Sequence, residues 1–82
     1  MDLVLLTKTI VSMIVIDKEA VSVREFDTTD ENLIHLEILV EENDLGRLIG
    51  RNGKTINSIR NIVQASSTLN GGKRVKLEVD SY

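Results

Sequence analysis

Apolar residues recur along this chain with two different periods, and each change of period marks an element. In DLVLLTKTIVSMIVI, residues 2–16, Leu3, Leu6, Thr7, Ile10, Val11 and Ile14 share one face at about 100° per residue. Lys8, Thr9, Ser12 and, further on, Glu19 lie opposite, so the spacing predicts a helix over 2–16. Val4 and Val15 widen its apolar arc on one flank and Met13 on the other. So broad an arc exceeds what one sheet face needs, unless the helix is deeply seated.

The period then shortens to two. VSVREFD, residues 21–27, predicts a strand whose alternation is lost at Glu25–Phe26, and the polar DTTDEN, 27–32, predicts a hairpin connection. In the next strand Ile34, Leu36, Ile38 and Val40 point one way, His35 and Glu37 the other, with Leu39 breaking the polar face. EEND, 41–44, ends that strand and offers N-cap residues to a short helix through Leu45, Leu48 and Ile49. Gly50-Arg51-Asn52-Gly53 is too glycine-rich for a helix interior. A further helix follows with Ile56, Ile59 and Val63 on one face, and Asn70-Gly71-Gly72 stops it. KRVKLEVD closes with Val75, Leu77 and Val79 alternating against Lys76 and Glu78. The order is αββααβ. It predicts an α+β fold over residues 1–82, a three-stranded sheet with helices packed on one face, in a single domain.

Composition changes this picture little. An apolar share of 41% is that of a folded chain. There is no cysteine, hence no disulfide framework and no thiolate metal site. The first residues carry Asp2 and no basic run or small-residue cleavage site, and the apolar run is broken by Lys8 and stops at Asp17. Neither a signal peptide nor a membrane span is expected, and a cytoplasmic location is.

Charge changes it more. The net value of −3 alone argues against a nucleic-acid partner, but its distribution does not. Residues 1–44 hold three bases and eleven acids; residues 45–77 hold Arg47, Arg51, Lys54, Arg60, Lys73, Arg74 and Lys76 with no acid. A stretch without a carboxylate is a local positive field that the average hides.

The glycines lie inside that stretch, and a glycine beside a base suggests a backbone brought close to a phosphate. A nucleotide-binding P-loop needs glycine five positions before its Gly-Lys-Thr; Gly53-Lys54-Thr55 supplies the end, but Leu48 stands at the required place. The segment leading in reads as helix rather than strand. No pair among Gly46, Gly50 and Gly53 has Gly-x-Gly spacing, so a dinucleotide fingerprint fails as well. A helix-turn-helix DNA reader would stud its second helix with polar base-reading groups, whereas Ile59, Ile62, Val63 and Ala65 dominate here. What remains is helix, Gly-x-x-Gly, helix. Two absent side chains admit a nucleic-acid backbone, and the next helix's first N–H groups face its phosphates.

LIGRNGKTINSI, residues 48–59, resembles the core signature of KH domains, with the Ile-Gly-x-x-Gly-x-x-Ile frame intact. The element order resembles the type II, prokaryotic arrangement, and the whole chain is similar to the small bacterial single-KH proteins of the KhpA family. The resemblance implies a non-enzymatic protein without a cofactor that holds about four nucleotides of single-stranded RNA across the loop. Gly50 and Gly53 would permit approach, Arg51 and Asn52 face phosphates and sugars, and Leu48, Ile49 and Ile56 border the groove, the last two partly in the core. Arg47, Lys54 and Arg60 would steer and hold the strand. The family's setting implies RNA chaperoning or post-transcriptional control, with effects on cell elongation and wall synthesis. Only Phe26 and Tyr82 are aromatic, so a stacking platform is missing and binding should be weak, of low sequence specificity and salt-sensitive.

Other candidate chemistry reads as ordinary. His35 is expected as a solvated residue of the outward strand face, and Glu41, Glu42 and Asp44 as a helix-capping, strand-ending cluster rather than a metal or catalytic site. With one histidine and no cysteine, no nucleophile–base pair can be assembled. Ile62 and Leu69, with Ala65 between them, form a stripe beside the core face of the last helix. It reads either as core margin or as a two-fold self-association surface. The resemblance supports the second, since the family self-associates and pairs with a larger Jag-type KH protein, KhpB.

Overall fold

A computed structural model describes residues 2–82. The elements are α1 (Leu3–Ser12), β1 (Ser22–Phe26), β2 (Leu33–Val40), α2 (Glu42–Ile49), α3 (Lys54–Leu69) and β3 (Arg74–Ser81), with single 3₁₀ turns at Lys18–Ala20 and Arg51–Gly53. The predicted order αββααβ holds. β2 is central, paired antiparallel to β1 and parallel to β3. The parallel pair requires a crossover, and α2 with α3 supplies it.

Strand alternation fixes the faces. Val23 opposes Ile38, and Leu36 lies beside Leu77, while Arg24 opposes Glu37 and Phe26 opposes His35 on the other side. Val11, Leu36, Ile38, Val40, Leu48 and Val63 are fully buried, and Ile56, Ile59 and Leu77 nearly so. Each such side chain contributes ~1.5–3 kcal/mol relative to exposure. This core sits between the inner sheet face and the three helices.

The first helix is shorter than its periodicity suggests, ending at Ser12 rather than residue 16. Asp2 caps its start, accepting from the Leu5 N–H at 3.1 Å. Its end has a long-range cause. The N–H groups of Ile16 and Asp17, which a continuing helix would turn inward, donate to Asp44 Oδ1 and Oδ2 at 3.1 and 3.0 Å. The break lets Val15 enter the core while Ile16 is left exposed. Asp44 is therefore no cap, contrary to expectation: it is a buried clamp joining the segment after α1 to α2. Those two amides hold its carboxyl below the usual 3.8, assisted by Arg47 and Lys18 and opposed by burial. Glu41 does cap α2, accepting from the Asn43 N–H at 2.8 Å.

His35 does lie on the outward face, but half-buried rather than solvated. Its ring centroid is 5.2 Å from that of Phe26, and its Nε2 lies 3.4 Å from Glu78 Oε2 without hydrogen-bond geometry. Lys76, and to a smaller degree His35, hold the Glu78 carboxyl below its ordinary value.

Candidate nucleic-acid interface

α2 ends as the Gly50 N–H donates to Gly46 O at 2.9 Å, and the chain then reverses within three residues. Gly50 adopts φ 77°, ψ 174°, a region open only to glycine. Its reason is internal: an added Cβ would fall on Thr55 Oγ1 and lie 2.8 Å from Thr55 Cβ. Thus Gly50 lets α2 approach the start of α3, and this, more than ligand approach, is what forbids a side chain there. Asn52 (φ 56°, ψ 27°) and Gly53 (φ 75°) are both left-handed. A Cβ on Gly53 would meet nothing nearer than Asn57 Nδ2 at 3.7 Å, so that side of the turn is open.

The start of α3 differs from those of the other helices. α1 and α2 are closed by Asp2 and Glu41, whereas no side chain caps α3 and no acid occupies its first turn. The Lys54 N–H turns back to Arg51 O; the N–H groups that follow it, and the helix dipole, worth ~0.3–1 kcal/mol to a nearby charge, meet no side chain beside the turn. Arg51, Asn52 and Lys54 are exposed there, and none has an ion pair or side-chain hydrogen bond among the described residues. Full charge, partial charge and absent side chains thus coincide at one place. The arrangement can receive a phosphate.

The remaining predicted site residues divide. Arg47 is exposed on the last turn of α2, with Nε 4.0 Å from the Asp44 carboxylate. Ile49 is half-buried beside Gly50. Leu48 is a correction: at 0% exposure it points into the core and borders no groove, because an eight-residue helix lying on the sheet must commit Leu48 inward. Ile56, at 4%, is core as well, on the buried face that α3 shares among Ile56, Ile59 and Val63. Arg60 is exposed, but its Nε and Nη2 donate to Leu77 O and its Nη1 to Asn57 Oδ1, so it is no free steering charge. Periodicity could not reveal these bonds, since Leu77 lies seventeen positions away. Ile62 and Leu69 are 49% and 84% exposed, with Ala65 also exposed between them.

A family described as "KhpA/KhpB, KH domain" matches residues 5–79. The chain belongs to the KhpA/KhpB KH-domain family. That family is not one of enzymes. RNA-binding protein KhpA of Caldanaerobacter subterraneus subsp. tengcongensis is 35% identical over 74 residues, covering 90% of this chain and 95% of its own. RNA-binding protein KhpA of Streptococcus pneumoniae serotype 4 is 34% identical over 71 residues, covering 87% of this chain and 85% of its own. Among solved structures, Era in complex with MgGDPNP and nucleotides 1506-1542 of 16S ribosomal RNA superposes with a TM-score of 0.69 at 19% identity. The match covers 96% of this chain but only 29% of the Era chain, and shows a shared fold. The α+β, KH type II-like architecture expected of this KhpA/KhpB member is the one observed. Among the described residues no helix is long and apolar enough to cross a membrane.

Proposed function

We propose that this chain binds single-stranded RNA through the turn at residues 50–53 and holds it without making or breaking bonds. The observation that carries this reading is the uncapped, acid-free start of α3 behind a left-handed Asn52–Gly53 turn, with Arg51 and Lys54 unpaired beside it. Phosphates approach Gly53 and the first N–H groups of α3, while Arg51 and Lys54 neutralise them. Asn52 can donate or accept, and so bonds a phosphate, a ribose hydroxyl or a base edge. The relatives named RNA-binding protein KhpA support RNA as the polymer. The finer role we assign is that of a cytoplasmic KH module acting in RNA chaperoning or post-transcriptional control, with consequences for cell elongation and wall synthesis.

The test is a titration of fluorescently labelled single-stranded RNA against the wild type and an Asn52→Asp variant. Weaker binding by the variant is expected. Equal affinities, or hydrolysis of ATP at an enzyme-like rate, overturn the reading.

A second reading has its own observation. Ile62 and Leu69 are large, apolar and exposed on the same stripe of α3. A homodimer joined there, or a heterodimer with a Jag-type KH protein, would make this chain an adaptor whose RNA contact comes mainly from its partner. Ile62→Asp is expected to give a monomer by light scattering and to weaken RNA binding through lost avidity. An unchanged mass removes this surface from consideration.

A further inference from the structure

Arg60 carries its charge in a way unlike the other cations of this face. Nε and Nη2 both donate to the Leu77 carbonyl at 3.2 Å, and Nη1 donates to Asn57 Oδ1 at 3.0 Å. A guanidinium has five N–H groups. These bonds occupy three and leave one on each terminal nitrogen. The group is therefore exposed and still immobilised.

Its place is defined at both ends. Leu77 belongs to β3, an outer strand of the sheet, and its carbonyl is turned to the edge that no strand of this chain covers. α3 occupies that edge with side chains: Gln64 accepts from the Val75 N–H at 2.8 Å, and Ser67 donates to Lys73 O at 2.6 Å. At the other end Asn57 stands beside the turn, its Nδ2 3.7 Å from where a Gly53 Cβ would lie. One connected set of bonds thus runs from Asn57, beside the turn, to the β3 edge, with Arg60 in the middle.

Steering a phosphate needs reach and no fixed direction, which the unpaired Arg51 and Lys54 provide. A pinned planar fork suits a ligand with acceptors at fixed spacing. Guanine offers O6 and N7 side by side, the commonest partner of arginine among bases, and in single strands that edge is uncovered. Adenine places a donor beside its N7 and repels one arm of the fork.

We infer that Arg60 is a specificity-determining residue, whose two remaining N–H groups read the O6 and N7 of a guanine in a strand held at the turn. The inference rests on the RNA-binding reading above and adds a preference at one nucleotide position. Asn57 is a positioning residue for it.

The test uses the full chain and labelled oligouridylates carrying one central guanosine, 7-deazaguanosine, adenosine or cytidine. Guanosine is expected to bind about fivefold or more tighter than 7-deazaguanosine, which lacks only the N7 acceptor. Arg60→Lys, checked first for folding by thermal unfolding, should lose that preference while keeping the wild-type salt dependence, since its charge remains. Should it fail to fold, the 7-deazaguanosine comparison on the wild type decides alone. Equal binding of the two guanosines, a preference for another base, or a folded Arg60→Lys that still discriminates overturns the inference and leaves RNA binding standing. Binding of no oligonucleotide at all overturns both.

Discussion

α2 and α3 start only twelve residues apart, at Glu42 and Lys54, and the two starts have opposite electrostatic designs. At α2 the backbone donors are met from within: Glu41 caps, Glu42 and Asp44 fill the first turn, and Asp44 also receives two amides from the segment after α1. At α3 no side chain answers the donors: the Lys54 N–H is met only by the Arg51 carbonyl of the turn, the capping position is a glycine, and the nearest charges are positive. The same helix physics therefore serves two ends. Where the dipole is answered by the chain's own carboxylates it joins elements together; where it is left unanswered, and glycine clears the approach, it is available to an outside anion.

That contrast can be broken in several ways. The largest effect is expected from Gly50→Ala, which forces a Cβ onto Thr55 in a backbone region closed to alanine. It should cost about 3 kcal/mol or more in urea unfolding, because strain and overlap add. A near-neutral result would mean that the turn can open without disturbing α3. Next comes Arg51→Asp with Asn52→Asp, which gives α3 an acidic start resembling that of α2. RNA affinity at low salt should fall by at least about tenfold. Thermal stability should hold, because both side chains are exposed and acids suit a helix start. Unfolding of this variant would assign the turn a structural duty.

Asp44→Asn attacks the other start. Because the folded carboxyl lies below 3.8, its contribution is fully present above the ordinary value and is lost as pH falls through the lowered one. The variant should melt earlier than wild type near neutral pH, and the gap should close on acidification. Parallel melting curves from pH 7 to pH 2 would show that the clamp is not ionic. The smallest effect is expected from Glu41→Ala, roughly 0.5 kcal/mol for one exposed cap, with RNA binding unchanged.

Much of this was legible in the sequence. The faces of β2 and α3 follow from strict periodicity, and Leu36, Ile38, Val40, Ile56, Ile59 and Val63 are buried as their spacing requires. The turn was legible because two glycines three apart interrupt the helical period, but the contact with Thr55 that requires Gly50 was not. What escaped depends on contacts distant in sequence. Asp44 looks like any first-turn acid until Ile16 and Asp17, twenty-eight and twenty-seven positions earlier, are brought to it. Leu48 sits on a helix too short for its spacing to separate groove from core. Arg60 counts as a positive charge in any sum over the chain, yet its fork is already bound to β3. Charge patterning locates a field but cannot say which of its sources are free to move.

The most direct measurement is RNA affinity as a function of salt for the wild type and for Arg51→Asp with Asn52→Asp. If three or four phosphates are neutralised at the turn, log K for the wild type should fall against log salt with a slope of roughly −2 to −3, and the variant's slope should be clearly shallower. No affinity in dilute buffer, or identical slopes for the two proteins, would contradict a phosphate grip at the start of α3.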